Sequence, residues 1–311
     1  MSDKNSLLRW AAFNHRMWNC RTELMTFKDS MSDAYCECLF FLDDRGRIFL
    51  PPFNYYHPTV FHPDRSESGT YKVTEQWLRV ADKMVKGMRK VGCAEDYVLP
   101  PEFQDIRPWR WRHFITGVRY SYRVKLPHDV NLIDHAVKQR IKKATSEGYV
   151  TRVADSMSDV YECLVATEKR KGFSHRLSLE DLEYAASSLG DDLFRAYVCY
   201  SKDGEPASAS IEIILGNKNA LGLVAGSKEN HLRNGTAQHL RAYMFQDLVA
   251  HGVESFDFCG ANIPSVAEAK AQWGAELVPY YTVRKRRLQD VAKEGGKWLQ
   301  SIIQRNEARK L

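Results

Sequence analysis

The run FRAYVCYSKDGEPASASIEIILGNKNALGLVAGS, residues 194–227, decides the fold. It contains three apolar segments separated by Asp203-Gly204 and by a second turn at residues 216–219. This pattern predicts three antiparallel strands in a meander. Apolar residues then recur at helical spacing over residues 236–251. A helix is therefore expected directly after the last meander strand, and this junction is a candidate for the functional site.

The segments on either side of the meander complete one α/β unit. Ser178 and Asp181 form a variant capping box and begin one of its helices. In chain order the sequence predicts strand 149–154, helices 158–171 and 178–188, the meander, helix 236–251, strand 255–260, helix 265–273 and strand 276–285. We therefore expect a mixed, mostly antiparallel sheet flanked by helices in the second half.

The first half is predicted to be a second mixed α/β module. Thr74 and Gly92 are suitable residues for the two ends of its first helix. The predicted elements are a hairpin over 34–50, an aromatic loop over 53–63, helix 74–91, strands 97–99 and 118–126, and helix 131–147. Gly148 ends the last of these helices, so we place a domain boundary there. The expected units are 1–148, 149–287 and a basic C-terminal helix over 288–311.

Composition restricts the class of protein. The chain has 311 residues, enough for two modules with separate cores, and 44% of its residues are apolar while 27% are charged. No run approaches the roughly 18 apolar residues of a membrane span, and the first residues lack a signal-peptide pattern. We therefore expect a soluble, cytoplasmic protein. Seven scattered cysteines, including Cys36 and Cys38 at strand spacing, indicate free thiols, and no metal site is expected.

Positive charge is concentrated in two segments. The net charge is +6, yet residues 105–143 contain ten Lys or Arg against three Asp or Glu, and residues 284–311 contain nine against three. The rest of the chain is therefore net acidic. Two cationic segments suit an anionic partner such as phosphate, RNA or a nucleotide-linked donor. A solvated basic surface without a partner is the alternative.

The order of elements in the second half resembles that of the GNAT acyltransferase fold. In that fold the sheet splays beside the last meander strand, and the next helix offers free N–H groups to phosphate. Leu232, Gly235 and Ala237 have the spacing of the family's (Gln/Arg)-x-x-Gly-x-(Gly/Ala) phosphate loop, with a departure at the first position. A simple turn is the alternative. The resemblance implies a donor site at Leu232, Arg233, Asn234, Gly235, Thr236 and Ala237.

Three further motifs resemble the Fem family of aminoacyltransferases, which is built from two tandem GNAT-like modules. The most specific is FDFCGANIPSVAEAKAQWGAELVPYYTV, residues 256–283. RYSYRVKL at 119–126, followed by RIKKATSEGY at 140–149, resembles the family's strand and basic helix. LPPFNYYHPTVF at 50–61 resembles its Pro-rich, Tyr-bearing loop. Cys259 and the sequence Trp273-Gly274-Ala275 depart from the family pattern.

The resemblance and the chemistry of acyl transfer together suggest roles for side chains. Transfer to an amine needs a neutral amine, a polarised carbonyl and a protonated leaving group. Asp257 is a candidate to position or deprotonate the amine, with loop capping as the alternative. Tyr280, or its neighbour Tyr281, is a candidate to protonate the leaving oxygen, and Lys270 to meet the carbonyl oxygen or a phosphate. Cys259 as a nucleophile is a further alternative.

The acceptor side is assigned to the aromatic loop and to the cationic strand. Candidate acceptor-binding residues are Tyr55, Tyr56, His57 and Arg119, for which packing and a solvated surface are the alternatives. Arg123, Arg140 and Lys142 are candidates to contact an anionic donor or acceptor.

The sequence therefore predicts an N-acyltransferase that moves an aminoacyl group from aminoacyl-tRNA, as cosubstrate, to an amine of a small molecule or peptide. No other cofactor is expected. Two alternatives remain open: a coenzyme A thioester as donor, and a tRNA-binding module that keeps the GNAT scaffold without catalysis.

Overall fold

The computed structural model describes residues 4–66, 69–215, 218–286 and 290. The basic helix predicted over 288–311 lies outside the described residues, apart from Asp290. Among the helices of the described part, none is long and apolar enough to cross a lipid bilayer.

The first half contains a small sheet and supplies two strands to a larger one. Its elements are α1 (Lys4–Trp18), β1 (Arg21–Lys28), β2 (Tyr35–Leu42), β3 (Thr59–His62), α2 (Thr70–Val91), β4 (Tyr97–Val98), α3 (Arg107–Trp111), β5 (Ile115–Lys125) and α4 (His135–Ser146). β1, β2 and β3 form a three-stranded antiparallel sheet in that order.

The second half has the element order that the sequence predicts. Its elements are β6 (Val150–Val153), α5 (Met157–Lys171), α6 (Leu179–Leu189), β7 (Phe194–Tyr200), β8 (Pro206–Ile214), β9 (Asn219–Ser227), α7 (Thr236–Ala250), β10 (Ser255–Asp257), α8 (Pro264–Ala271) and β11 (Glu276–Arg284). The fold class, mixed α/β with a mostly antiparallel mixed sheet between helices, is confirmed.

One eight-stranded sheet joins the two halves. Its order is β4-β11-β5-β10-β9-β8-β7-β6. β5 lies between β11 and β10 and is antiparallel to both, so a strand from before residue 148 stands in the middle of the sheet of the second half. The sheet therefore continues across the expected domain boundary, which explains why no flexible linker is found there.

The sheet forks between β9 and β10. These two strands are parallel, and their pairing begins at Asn219 opposite Ser255 and stops at Leu221 opposite Asp257. Beyond that point β9 pairs with β8 alone, with a register shift between Ile211 and Glu212. The shift leaves Leu223 without a partner on β8, which is the arrangement of a β-bulge. The fork opens backbone groups of β9 toward the end of β10.

Helices cover both faces of this sheet. α5 and α6 pack with α1 against one face, through apolar residues such as Val160, Leu182 and Ile211. α7 and α4 pack against the other face, through Leu240 and Val137. α2 packs separately on the small sheet and on β4. At the fork, α7 lies on one face of the sheet, and the first half of the chain contributes Tyr55 and Tyr56, which pack beside Leu221 and Leu223.

Most differences from the sequence predictions concern element ends. α2 begins at Thr70 instead of Thr74, with Gly69 as its N-cap. The capping box of Ser178 and Asp181 is present. The second strand of the 34–50 hairpin is reduced to an isolated bridge at Ile48, because two prolines follow it directly. Four elements, α1, β1, β3 and α3, were not predicted.

Candidate functional site

A buried carboxylate stands where the sheet forks. Asp257 ends β10, is completely buried, and accepts four hydrogen bonds. One carboxylate oxygen accepts from the Tyr56 hydroxyl at 3.1 Å and from Arg123 Nε at 2.8 Å. The other accepts from the Ser121 hydroxyl and from the Cys259 amide, the latter at 2.8 Å. Asp257 thereby ties β5, the aromatic loop and the turn after β10 to one point.

Arg123 connects this carboxylate to the molecular surface. Its Nη1 donates to Glu102 at 2.7 Å, and its Nη2 is buried and has no hydrogen-bond partner among the described residues. Burial alone would lower the pKa of Arg123, but the carboxylates of Glu102 and Asp257 outweigh burial and raise it. The guanidinium is therefore a permanent charge at the fork.

A cavity of about 680 Å³ opens beside Tyr56 and Arg123, between residues of the first half of the chain and the start of β9. The polar part of its lining includes Arg123, Glu102 and Asn219. The rest of the lining is mainly apolar and includes Val60, Phe61, Trp77, Phe103 and Leu221. Such a cavity fits a ligand with an apolar body and one polar end.

The turn after β10 is held by a lysine. Lys270 of α8 donates from Nζ to the carbonyl oxygens of Phe258 at 2.7 Å, Cys259 at 3.1 Å and Gly260 at 2.5 Å. Cys259 and Gly260 both have positive φ, +54° and +94°. Burial lowers the pKa of Lys270 to about 8. A cation in this turn therefore offsets the partial charges of three converging carbonyls in a backbone conformation that is uncommon for a non-glycine residue.

Tyrosine hydroxyls crowd the other side of the same turn. The Tyr280 hydroxyl lies 3.4 Å from that of Tyr55 and 3.3 Å from Asn262 Nδ2. A Cβ added at Gly260 would lie 1.7 Å from the Tyr55 hydroxyl, so the glycine makes room for it. Of the two adjacent tyrosines, Tyr280 therefore faces the fork, whereas Tyr281 packs against the α2 core.

His57 does not face a binding site. It is completely buried and stacked on Tyr97 at 4.1 Å. Its Nδ1 accepts from the Val98 amide at 3.0 Å, and its Nε2 lies 3.1 Å from the Phe49 carbonyl, which fixes the proton on Nε2. Burial lowers the pKa of His57 to about 3. The expectation of a role in acceptor binding is thus corrected to a role in packing, because both ring nitrogens are used by the backbone.

Arg119 lies at the rim of the site. It stands directly opposite Tyr280 in the register of β5 and β11, so the two side chains share one face of the sheet. Arg119 is exposed, and its nearest carboxylate, Asp96, is 3.7 Å away. It is therefore accessible to a charged group near Tyr280.

The predicted phosphate loop is covered by a helix. Gly235, at φ +78°, begins α7, and a Cβ added there would lie 2.2 Å from the carbonyl oxygen of Arg140 in α4. Gly235 and Thr236 are buried, and Asn234 Nδ2 donates to the Tyr149 hydroxyl at 2.9 Å. On the side where a Cβ of Gly235 would stand, the backbone of α4 packs against the loop, and the predicted anion site at this glycine stays a prediction. The remaining loop residues, Leu232, Arg233 and Ala237, are exposed.

Thiol and metal chemistry find no support in the described residues. Burial, followed by the charge of Asp257, raises the pKa of the Cys259 thiol well above its usual value, which opposes nucleophilic attack. Cys36 and Cys38 are buried free thiols with sulfur atoms 3.7 Å apart. No group of His, Cys, Asp and Glu that could hold a metal is found in the part of the chain that the structure describes.

Several residues at the fork were not singled out from the sequence. Ser121 and Glu102 contact the Asp257 cluster, and Asn262 contacts Tyr280. Arg241 of α7 lies over the rings of Phe256 and Phe258. Arg241 could have been noticed because it is a charged residue within the apolar pattern of a predicted helix. Nothing in the local sequence marks Ser121, Glu102 or Asn262.

Comparison with known proteins agrees with this geometry. Residues 134–269 match the profile of the acetyltransferase (GNAT) domain. The match covers less than half of the chain, and this region is similar to a GNAT acyltransferase domain. It begins with α4 and ends in α8, so it includes the fork, Asp257 and the covered loop. No curated protein sequence matches the chain.

Solved structures share the fold of this chain across most of its length. FemX has a TM-score of 0.62 at 12% identity, and the match covers 88% of this chain and 90% of that one. The C-terminal domain of a putative lysylphosphatidylglycerol synthetase from Agrobacterium fabrum has 0.58 at 12%, covering 94% and 95%. L-PGS from Bacillus licheniformis has 0.57 at 11%, covering 92% and 93%. The predicted resemblance to Fem-type GNAT proteins is confirmed at the level of the fold.

Proposed function

We propose that this acyltransferase takes an aminoacyl group from an aminoacyl-tRNA and joins it to the amine of a small molecule or peptide. The observation that carries the proposal is the position of α4 against Gly235. A coenzyme A donor needs its pyrophosphate close to this loop, and on the side where a Cβ of Gly235 would stand the carbonyl oxygen of Arg140 disfavours the approach of an anion. A donor whose ester is attached to its terminal nucleoside does not depend on that position.

The names of the structural neighbours are compatible with this donor. A lysylphosphatidylglycerol synthetase is, by its name, associated with a lysyl group, so the shared fold can serve aminoacyl chemistry. At 12% identity this likeness supports the fold alone. Support for an aminoacyl-tRNA donor therefore comes from the position of α4 and not from the names of the structural neighbours.

The two sides of the fork suggest how the substrates meet. The acceptor enters through the 680 Å³ cavity beside Tyr56 and Arg123, and the donor approaches from the α7 side. The amine nitrogen attacks the ester carbonyl carbon, and the carbon–oxygen bond to the ribose breaks. The proton that the amine loses passes through the Tyr280 hydroxyl to the leaving ribose oxygen, so no proton is gained or lost overall.

Charged groups around the fork stabilise the transition state in this proposal. Lys270 donates to three carbonyls of the turn, so it acts on the carbonyl oxygen that becomes negative in the tetrahedral intermediate through its charge and not through a hydrogen bond. Asp257 has all four hydrogen-bond positions filled, so we assign it the orientation of Tyr56, Ser121 and the turn instead of the role of base. The amine must therefore arrive in its neutral form.

The decisive experiment incubates the full chain with a panel of radiolabelled aminoacyl-tRNAs and candidate amines. We expect label to move to the amine from at least one charged tRNA. Tyr280→Phe should slow this transfer by about 10²-fold or more, because the proton relay is lost. Tyr281→Phe is the matched control, since Tyr281 packs on the other core, and it should keep the wild-type rate.

Two other functions are outcomes of the same assay. Thermal stabilisation by coenzyme A together with transfer from acyl thioesters would replace the aminoacyl-tRNA donor. Equal, salt-sensitive binding of charged and uncharged tRNA without any transfer would indicate a binding module. Indifference to every charged tRNA would end the proposal.

A further inference from the structure

An arginine on α7 lies beside the fork and makes no hydrogen bond or ion pair within the described residues. The Cζ atom of Arg241 lies 4.6 Å from the ring centroid of Phe258 and 5.7 Å from that of Phe256. Across residues 4–66, 69–215, 218–286 and 290, its guanidinium has no hydrogen bond and no carboxylate within ion-pair distance. The side chain is only partly covered, so its N–H groups remain within reach of a ligand.

Arg241 and Lys270 meet at the same residue. Lys270 donates to the Phe258 carbonyl at 2.7 Å while Arg241 lies over the Phe258 ring. Burial lowers the pKa of Lys270 to about 8, and the charge of Arg241 contributes to that shift. Burial also lowers the pKa of Arg241 to about 10. Two partly desolvated cations near one residue are unfavourable unless an anion joins them.

The nearest carboxylate on this face does not supply the missing charge. Glu212 of β8 is opposite Arg195 in the register, and Arg195 pairs with Asp247 of α7, so Glu212 faces the same helix. Glu212 is buried, and in the part of the chain that the structure describes its Oε2 has no hydrogen-bond partner. Burial raises the pKa of Glu212 to about 8, although the charges of Arg241 and Arg195 act to lower it. Glu212 does not form an ion pair with Arg241, so no carboxylate in direct contact neutralises the guanidinium within the described residues.

We propose that Arg241, assisted by Lys270, binds the donor phosphate that is attached to the same nucleoside as the acyl ester. This inference rests on the proposed function. Lys270 lies beside the turn where transfer is proposed, so the anion must be close to the reacting ester. In an aminoacyl-tRNA the last phosphodiester is attached to the ribose that carries the ester, whereas in coenzyme A the whole pantetheine arm separates pyrophosphate from thioester.

The geometry of Arg241 suits this ligand. A guanidinium stacked on an aromatic ring keeps its N–H edge free, and that edge can donate two parallel hydrogen bonds to phosphate oxygens. Phe256 and Phe258 hold the guanidinium in place without competing for its donors. α4 packs against the phosphate loop at Gly235, the N-cap residue six positions before Arg241, so the anion is received at Arg241 instead.

The test measures binding of a fluorescent RNA hairpin that imitates the tRNA acceptor stem and ends in CCA, without an amino acid. We expect Arg241→Gln to weaken its binding by about tenfold and to reduce the slope of log affinity against log salt by about one. Arg241→Lys should restore part of the affinity and of the slope. Arg89→Gln removes the same charge from an exposed position on α2 and should leave affinity within about twofold.

A second RNA that lacks the terminal adenosine and its phosphate localises the contact. Wild type and Arg241→Gln should bind this shortened RNA equally. An equal loss for both RNAs, or no loss for either, would overturn the inference. Stabilisation by coenzyme A that disappears in Arg241→Gln would assign the site to that cofactor instead. Circular dichroism of each variant confirms that it is folded.

The two proposals fail separately. Arg241-dependent binding of the CCA hairpin without any aminoacyl transfer would keep the phosphate site and reject the enzymatic function. Transfer that proceeds with the wild-type KM in Arg241→Gln would keep the function and reject the site.

Discussion

The turn at residues 258–260 and the loop at residues 232–237 both contain a glycine at positive φ, but the two glycines are needed for different reasons. At Gly260 the space of a side chain is taken by the Tyr55 hydroxyl, in a turn whose carbonyls are held by Lys270. At Gly235 that space is taken by the backbone of α4. The first glycine serves a polar cluster at the fork, and the second serves packing between two helices.

This difference matters for interpreting glycine-rich motifs. A glycine before a helix is needed wherever something approaches the backbone closely, whether that is a phosphate or another chain segment. The spacing of Leu232, Gly235 and Ala237 cannot distinguish the two cases, but a neighbouring helix in the structure can. The following substitutions compare the turn at residues 258–260, which we assign to catalysis, with the loop at residues 232–237, which we assign to packing.

The largest contrast is expected between two lysines. Lys270→Met removes the charge beside the proposed carbonyl oxygen, and the transfer rate should fall by about 10²- to 10³-fold. Lys143→Met removes a cation that donates to the Arg233 carbonyl at 3.0 Å in the covered loop, and the rate should stay within about twofold. Single-turnover rates with charged tRNA measure both. A comparable loss of transfer rate in Lys143→Met would show that the loop at residues 232–237 takes part in the reaction.

Glycine substitutions test the packing side of the contrast. Gly235→Ala places a methyl group against the Arg140 backbone and also forces alanine into positive φ, so we expect about 2–4 kcal/mol lower stability to urea. Gly252→Ala, at φ +75° with nothing within 4 Å, bears only the backbone cost and should lose about 1 kcal/mol. Equal losses would show that α4 does not press on Gly235.

The pH dependence of stability should differ between the two regions. The pKa of Lys270 is lowered by burial to about 8, below the 10.5 of an unfolded lysine. Between these values the unfolded chain binds more protons, so stability rises with pH in this window. Relative to Lys270→Met, the wild type should gain about 2 kcal/mol from pH 7 to pH 10 in urea unfolding. Lys143→Met is the control for loss of an exposed charge. If the stability difference between wild type and Lys270→Met does not change with pH, the Lys270 ammonium is solvated.

Patterns that depend on local spacing were predicted well from the sequence. The meander of β7, β8 and β9, the helix α7 and the capping box of Ser178 follow from periodicity and turn residues within a few positions. Asp257, Lys270 and Tyr280 were singled out because they lie in one motif, and the structure brings them to the same turn, while their catalytic roles stay predictions. The fold class followed from the order of these elements.

Features that depend on long-range packing were not predicted. β5 enters the sheet between β10 and β11, and no local signal in RYSYRVKL specifies that position. His57 was assigned to a pocket because histidine in a loop is often exposed, whereas Val98 and Phe49 bind both its nitrogens. Glu212 lies in β8 and Arg241 in α7, and both were overlooked because most of their sequence neighbours are apolar. Their importance follows from what surrounds them in space.

The smallest contrast concerns two tyrosine hydroxyls. Tyr56 donates to Asp257 at the fork, whereas the Tyr149 hydroxyl lies 2.7 Å from His231 and accepts from Asn234 beside the loop. Each Tyr→Phe substitution leaves a buried polar group without a partner and should cost about 1–2 kcal/mol of stability. Only Tyr56→Phe should also slow transfer, by about three- to tenfold, because Asp257 then orients the turn less firmly. Unfolding in urea compared with single-turnover rates separates the two effects. A slower rate in Tyr149→Phe at full occupancy of the folded state would show that the loop contributes to catalysis after all.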